Sequence, residues 1–258
     1  MGAVVLRLKA PPPWPLDLAA LQPAALAGKS ADEIARMTLG RVAVGDVFAV
    51  SAGDAAELVL QGGSPLLDCV GAGMQSGTLL VEGAVGALAA AGLRGGRLEV
   101  RGDAGDHLGG AAPDSRMGMS GGVVLVRGNA GARAGDRMRR GLLIVEGDAG
   151  PEAAGGMIAG TVAVCGAVGA APGVLMRRGT LLLGTPAVAP PPGFIVGRLA
   201  GDGTFLRLLA RALHAVSPRA GECVAAVQHR WLGDLAALGK GEILVTGGQA
   251  IPQHQRSG

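Results

Sequence analysis

The chain has very few aromatic side chains. Its 258 residues include two Trp, three Phe and no Tyr. Proteins that bind sugars, bases or single nucleic-acid strands commonly stack them on aromatic rings, so this scarcity argues against those functions. The net charge of +3 is mild and does not by itself indicate nucleic-acid binding.

Reactive and metal-binding side chains are also scarce. Cys69, Cys165 and Cys223 share no CxxC spacing and have no neighbouring histidine, which argues against a zinc site and a disulfide framework. The spacing of the polar residues assembles no Ser-His-Asp set, carboxylate pair or metal cluster. The N-terminus does not have the form of a signal peptide, and four prolines interrupt the longest apolar stretch, residues 179–197. We therefore expect a cytoplasmic protein with no catalytic residues and no metal of its own.

Glycine, by contrast, is abundant and periodic. One marker glycine follows a short apolar run, with steps of 19, 26, 19 and 19 residues, at Gly83, Gly102, Gly128, Gly147 and Gly166. A second marker, Met/Leu-x-x-Gly, ends in register with the first at Gly77, Gly96, Gly122, Gly141, Gly160 and Gly179. The longer step indicates an insertion around residues 111–117. Two markers in register indicate an internal repeat.

A unit of 19 residues is too short for a βαβ motif and suits one coil of a β-solenoid. The repeat predicts an all-β fold, a right-handed parallel β-helix with about 19 residues per coil, over residues 41–185. An N-terminal extension (residues 1–40) would precede it, and a C-terminal capping or docking segment with helices (residues 186–258) would follow. In these flanks we expect a helix capped by Ser30 with Glu33, an amphipathic helix over residues 204–216 and a helix around residues 222–229.

Two outward-facing columns of side chains follow from stacking the coils. The first pairs opposite charges on adjacent coils, Glu82 with Arg101 and Arg127 with Glu146. The second is mostly apolar although it points away from the core; its members, which we call the partner-packing column, include Leu80, Leu125, Ile144 and Leu182. An exposed apolar stripe predicts a contact surface, either for the chain's own terminal segments or for another subunit.

A third column is basic. Arg139 and Arg140 occupy the same place as Arg177 and Arg178 two coils later, on the order of 10 Å away given the usual strand spacing. One interpretation is a solvated edge that discourages strand pairing. The other is a docking strip for an acidic tail or partner, because paired guanidinium groups bind carboxylates in a bidentate fashion.

The repeat and its flanks resemble the C-subunit family of formylmethanofuran dehydrogenase, which shares its β-helix with the C-terminal domain of the large glutamate synthase subunit. Residues 26–30 (Leu-Ala-Gly-Lys-Ser) and 44–48 (Val-Gly-Asp-Val-Phe) are similar to the family's N-terminal pattern. Residues 233–234 (Gly-Asp) and 239–243 (Gly-Lys-Gly-Glu-Ile) are similar to its C-terminal pattern. The resemblance therefore covers nearly the whole chain.

The resemblance implies a non-catalytic structural subunit. In the bacterial members the complex is a formyltransferase/hydrolase, which transfers a formyl group between tetrahydromethanopterin and a methanofuran-type carrier and releases formate. The implied partners are formyltransferase, amidohydrolase-like and dehydrogenase-like subunits. Methanofuran or methylofuran, tetrahydromethanopterin and a metal would be bound by those partner chains, with no cofactor in this one. The glutamate-containing tail of the furan carrier is a further anionic partner for the arginine column; neither nucleic acid nor a membrane is expected as a partner.

Three alternatives stay open. The first is that the chain is the C subunit of a molybdenum or tungsten formylmethanofuran dehydrogenase, although its Ala-, Gly- and Arg-rich composition favours a bacterial complex. A glutamate-synthase-like β-helix spacer is the second alternative. The third is an enzyme that acts alone, such as a carbohydrate-active β-helix, which would need acidic or aromatic residues clustered on one face.

Overall fold

The structure, a computed structural model, describes residues 2–186, 189–199 and 203–247. The N-terminal part comprises β1 (Ala3–Leu8), β2 (Leu16–Asp17), α1 (Pro23–Leu26), α2 (Ala31–Ala35), β3 (Thr38–Leu39), β4 (Val42–Ala43), α3 (Val44–Val47) and β5 (Phe48–Ser51). The central part comprises β6 (Asp54–Gln61), β7 (Leu67–Asp68), β8 (Thr78–Val81), β9 (Arg97–Val100), β10 (Ser120–Val126), β11 (Arg140–Val145), β12 (Thr161–Val164) and β13 (Arg178–Leu183). The C-terminal part comprises β14 (Ile195–Gly197), α4 (Gly203–His214), α5 (Pro218–Ala225), β15 (Val227–Gly233) and β16 (Lys240–Thr246).

Twelve of these strands form one large, mostly parallel sheet. Its order is β14-β15-β16-β13-β12-β11-β10-β9-β8-β6-β1-β5. Parallel pairing runs without interruption from β1 to β16, whereas β5 at one edge and β14 and β15 at the other are antiparallel to their neighbours. The expectation of a strand-rich chain with few helices is met. Among the described helices, none is both long and apolar enough to cross a membrane.

The register of the sheet follows the sequence repeat. Leu79 pairs with Leu98, Leu98 with Val124, and Leu143 with Val162. A second ladder of parallel bridges joins the segments that follow the strands, through Val85, Ala104, Ala130, Ala149 and Val168. Each repeat therefore contacts the next at two places along its length. The insertion at residues 111–117 lies between β9 and β10, after the segment that carries the second ladder.

The core is lined by the same positions in every repeat. Leu79 and Val81 of β8 are fully buried, as are their counterparts in the following strands. The apolar residue of the second marker forms another buried column, made of Met74, Leu93, Met119, Met138, Met157 and Met176. Aliphatic and thioether side chains fill this interior, which explains why so few aromatic rings are needed.

The two glycine markers are required for different reasons. Gly141 of the second marker has φ 101°, a region that residues with a side chain rarely adopt. Gly147 of the first marker lies against the preceding repeat, where an added Cβ would stand 2.6 Å from the carbonyl oxygen of Gly128. The repeat thus needs glycine once for a turn and once for close approach of the backbone.

Two of the three predicted helices are confirmed, and the third is present but begins and ends earlier in the chain than predicted. The Ser30 hydroxyl accepts the Glu33 N–H at 3.3 Å, and Oε2 of Glu33 accepts the Ser30 N–H at 2.7 Å, so α2 begins with the expected capping box. The amphipathic helix is α4. In place of a helix over residues 222–229, α5 ends at Ala225 and β15 begins at Val227. The helix begins earlier because Ser217 caps it and Pro218 opens its first turn, and the chain then pairs with β16.

The sheet continues across both predicted domain boundaries. In the predicted N-terminal extension, β1 pairs with β6, and in the predicted C-terminal segment β16 pairs with β13. Both flanks therefore contribute strands to the sheet as well as cover its ends. The boundaries at residues 40/41 and 185/186 stay predictions.

Candidate functional site

A surface groove of about 780 Å³ opens beside the second-marker turns of the repeat. Its charged lining consists of three arginines, Arg116, Arg137 and Arg177. Its large apolar lining consists of Met117, Ile158, Leu175 and Leu238. We call this feature the basic groove. It combines positive charge with exposed apolar surface.

One wall of the basic groove is the insertion that interrupts the repeat. Arg137 holds this wall in place, since its Nη1 donates to the Ser115 carbonyl oxygen at 3.0 Å and its Nε pairs with Oδ2 of Asp136 at 2.9 Å. The Ser115 hydroxyl in turn donates to the carbonyl oxygen of Met117 at 2.7 Å. Arg116 and Met117 are therefore carried on a segment fixed to the neighbouring coil.

A second wall is the loop between β15 and β16. Asp234 is 3% exposed and anchors this loop, because its Oδ2 accepts the Leu175 N–H at 2.9 Å and its Oδ1 accepts the Ala236 N–H at 2.8 Å. The Asp234 carbonyl oxygen accepts a further N–H from Gly239 at 2.9 Å. A buried carboxylate with several donors fixes local geometry strongly. The loop therefore presents Leu238 to the groove from a rigid support.

The positive charge of the basic groove is largely uncompensated. Arg116 and Arg177 are exposed, and within the described residues neither has a carboxylate at ion-pairing distance. Arg139, beside the groove, donates from Nη1 to Sδ of Met117 at 3.4 Å. No lining residue is Asp or Glu, and the nearby Asp136 is already paired with Arg137. An anionic group entering the groove would meet free guanidinium donors.

The apolar walls are unusually open to solvent. Leu175 is 55% exposed, Leu238 48% and Met117 41%. Single exposed apolar residues are ordinary on protein surfaces, but several around one concave site mark a contact surface.

The structure separates the four predicted arginines. Arg177 lines the basic groove and Arg139 lies beside it, whereas Arg140 and Arg178 are the exposed first residues of β11 and β13 and are not in the lining. Arg116 was not predicted, because it lies in the insertion, which has no counterpart in other coils. The sequence feature that could have indicated Arg116 is the position of the insertion next to the arginine column.

The partner-packing column meets the chain's own helices over most of its length. Leu125, Ile144 and Leu182 are fully buried in a cluster that includes Leu213 of α4 and Val224 of α5. The apolar faces of α4 and α5 cover these three residues. The prediction that they pack against another subunit is therefore corrected, and the alternative, contact with the chain's own terminal segments, applies to them. Leu80, earlier in the column, is half-buried.

The charged column is used between coils, as predicted. Arg101 pairs with Glu82 at 3.2 Å and Arg127 with Glu146 at 2.7 Å. The Ser217 hydroxyl also donates to Oε1 of Glu146, at 2.5 Å, which ties the start of α5 to the sheet. These side chains serve stacking and docking of the chain's own elements.

The cysteines form no ligand set but differ in acidity. A hydrogen bond from the Cys165 thiol lowers the pKa of Cys223 to about 7, and the charge of Arg219 acts in the same direction. The same hydrogen bond, together with burial, raises the pKa of Cys165, and burial raises that of Cys69 to about 11. In the part of the chain that the structure describes, no group of His, Cys, Asp and Glu is placed to hold a metal ion.

Comparison with known proteins finds similar chains among curated proteins and among solved structures. No protein-family profile matches. The C subunit of the formyltransferase/hydrolase complex Fhc of Methylorubrum extorquens is 40% identical over 85 residues, which is 31% of this chain and 32% of that protein, so the alignment spans about a third of the relative's length. A chain in the X-ray crystal structure of the formyltransferase/hydrolase complex (FhcABCD) from Methylorubrum extorquens, in complex with methylofuran, is 37% identical with a TM-score of 0.80. That match covers 95% of this chain and 100% of the other.

Proposed function

Since the chain belongs to the C-subunit family of the formyltransferase/hydrolase complex, we propose that it is a non-catalytic structural subunit of such a complex. The complex would transfer a formyl group between tetrahydromethanopterin and a methanofuran-type carrier and release formate. The observation that carries this proposal is the match to a chain of the FhcABCD structure over 95% of the residues at 37% identity. The subunits that catalyse formyl transfer and hydrolysis would be its partners.

We propose further that the parallel sheet is one face of a right-handed parallel β-helix. Two parallel ladders, one through the strands and one through Val85 and its counterparts, advance together by one repeat at each step. A chain that returns to the same two ladders once per repeat winds around an axis. Crossovers between parallel strands of one sheet are right-handed in about 98% of cases, which favours that hand.

The use made of polar side chains supports a structural role. Oδ1 of Asp103 accepts the Asn129 N–H at 2.7 Å, Oδ1 of Asn129 accepts the Asp148 N–H at 2.8 Å, and Oδ1 of Asp148 accepts the Ala167 N–H at 2.7 Å. This ladder satisfies backbone groups between successive coils. Acidic side chains that elsewhere serve as acids or bases here join one repeat to the next.

The cofactors belong, in this proposal, to partner chains. The furan carrier, tetrahydromethanopterin and the hydrolase metal would bind to the transferase and hydrolase subunits, and the assembly would be cytoplasmic. Of the predicted contact positions, Arg177 in the basic groove and the half-buried Leu80 remain open to partners.

Purification of the chain from its own cells tests the proposal. A tagged full chain should recover formyltransferase and hydrolase subunits in fixed ratios, and that assembly should release formate. The chain purified by itself should release none. Recovery as a lone monomer, or formate release by the isolated chain, would contradict the proposal.

A further inference from the structure

We propose that the basic groove docks an extended acidic segment of a partner polypeptide, in which carboxylates flank a Leu-, Ile- or Met-type side chain. This inference rests on the proposed function, since it names the surface through which the subunit would hold a companion chain. In this proposal Arg177 and the adjacent Arg139 bind the segment, whereas Arg140 and Arg178 do not.

Charge selects the acidic character of the segment. Arg116 belongs to the insertion and Arg177 to the turn before β13, and both guanidinium groups are unpaired in the described part of the chain. The guanidinium group of Arg139 has only the sulfur of Met117 as a partner among these residues. A guanidinium binds a carboxylate through two parallel hydrogen bonds, more specifically than a lysine does. Carboxylates spaced along a chain would satisfy these separated donors.

The apolar walls select a polypeptide over a purely anionic ligand. Leu175 and Leu238 line the groove, and about half of the surface of each residue is exposed. An anion without apolar groups would leave that surface in water, whereas a Leu- or Met-type side chain would bury it. Burial of apolar area between charged anchors is the usual composition of a protein interface.

Size and rigidity suit a short segment. A groove of about 780 Å³ lies within the range of roughly 300–1,000 Å³ typical of clefts that enclose a compact ligand, and it is too small for a domain face. Its two walls, the insertion and the loop between β15 and β16, both lie outside the repeat. Arg137 anchors the first wall and Asp234 anchors the second. A preformed site loses little conformational freedom on binding, which favours affinity.

Site-specific photo-crosslinking in living cells tests the occupant. We would place p-benzoylphenylalanine at Leu238 of the tagged full chain, irradiate the cells, purify the chain and identify the crosslinked peptides by mass spectrometry. Leu208 on α4, which is 62% exposed and outside the groove, is the matched control position. Position 238, and not 208, should capture a segment of another polypeptide with acidic residues on both sides of a Leu, Ile or Met. Crosslinks only within this chain, to a segment without acidic residues, or no stronger than the control would overturn the proposal.

Charge-reversal variants test whether the arginines at the groove, and not every arginine of the column, bind the segment. The double variant Arg116→Glu/Arg177→Glu, at the two unpaired arginines of the lining, should lower the crosslink yield about tenfold or more, because each exchange removes a charged hydrogen bond. Arg178→Glu, adjacent in sequence but outside the lining, should leave the yield within about twofold. Equal losses in the two variants, or no loss in either, would refute the assignment.

Competition with added probes separates a peptide from an anion. A synthetic copy of the captured segment should suppress the crosslink in cell extract, and tetraglutamate at the same concentration should not. Equal suppression would show that charge alone binds and would overturn the mixed acidic and apolar occupant. Recovery of transferase and hydrolase subunits without any crosslink at 238 would refute the groove proposal and leave the proposed function standing. Capture of an acidic segment without those subunits would support the groove proposal and contradict the proposed function.

Discussion

Ile144→Ala tests whether the middle of the partner-packing column belongs to the chain's own core. Ile144 is fully buried between β11 and the C-terminal helices. Loss of a buried isoleucine side chain removes transfer free energy and leaves a cavity, which together cost about 2–5 kcal/mol. We expect about 3 kcal/mol here, because Leu125 on the neighbouring strand β10 and Leu182 two strands away on β13 keep the helices from closing over the gap.

Thermal unfolding of the full chain, followed by circular dichroism, measures this loss. For a chain of this size about 3 kcal/mol corresponds to a fall in Tm of about 6–12 °C. The matched control is Leu80→Ala, in the same column but only half-buried, for which we expect about 1 kcal/mol and a fall of about 2–4 °C.

Two results would refute this reasoning. Equal falls in Tm for Ile144→Ala and Leu80→Ala would mean that α4 and α5 contribute no packing at Ile144. An unchanged Tm of the Ile144 variant with loss of partner subunits would mean that the column faces another chain.

Three further predictions follow from local geometry. Gly141→Ala should lower the free energy of unfolding in urea by at least about 2 kcal/mol, because φ is 101° and a Cβ would press on a buried methionine. Arg127→Ala should make the free energy of unfolding fall less steeply between about pH 5 and pH 3. Burial raises the pKa of Glu99, but hydrogen bonds from Arg97 and Arg127 outweigh it, so the pKa of Glu99 in the folded chain is lowered. The ionised Glu99 therefore stabilises the fold above the ordinary carboxyl pKa, and this stabilisation is lost as the pH falls through the lowered pKa. Cys223 should react with iodoacetamide at half its maximal rate near pH 7, and Cys165→Ala should raise that midpoint by removing the thiol hydrogen bond.

Each of these predictions has an internal control. Gly40→Ala, where φ is 63° and no atom lies within 4 Å of an added Cβ, should cost less than the change at Gly141. Arg41→Ala, at an exposed arginine, should leave the acid limb of the stability curve unchanged. Cys69, whose pKa is raised to about 11, should stay unreactive at neutral pH. Equal cost at both glycines, equal pH profiles or equal thiol reactivity would contradict the corresponding argument.

The repeat made much of the fold predictable because stacking converts spacing in sequence into contact in space. The 19-residue step alone placed Glu82 beside Arg101, and the structure joins them at 3.2 Å. The capping box at Ser30 was equally local. Prediction failed where the chain leaves the repeat: the spacing does not reveal that residues after 225 pair with β16, because that pairing joins segments through tertiary packing.

The candidate site was predictable only in part for the same reason. Arg177 follows from the column, but the groove also needs Leu238, which reaches it through the hydrogen bond between Asp234 and the Leu175 backbone, 59 residues apart. No periodicity connects those positions. The covering of Ile144 by α4 and α5 was one of two alternatives, since an amphipathic helix indicates a buried face without identifying what it packs on.

The pairing of β13 with β16 has a consequence for synthesis on the ribosome. β13 is complete at Leu183, but the strand that covers its edge ends at Thr246, so at about 5–20 residues per second the edge stays open for roughly 3–13 s. During that interval the nascent chain carries an uncovered parallel edge, the kind of surface on which strands of other chains add. Slow codons between these two strands would lengthen the exposure, whereas early formation of α4 over Leu182 would shield the face beside it. The yield of folded protein should therefore depend on how quickly the last quarter of the chain is translated.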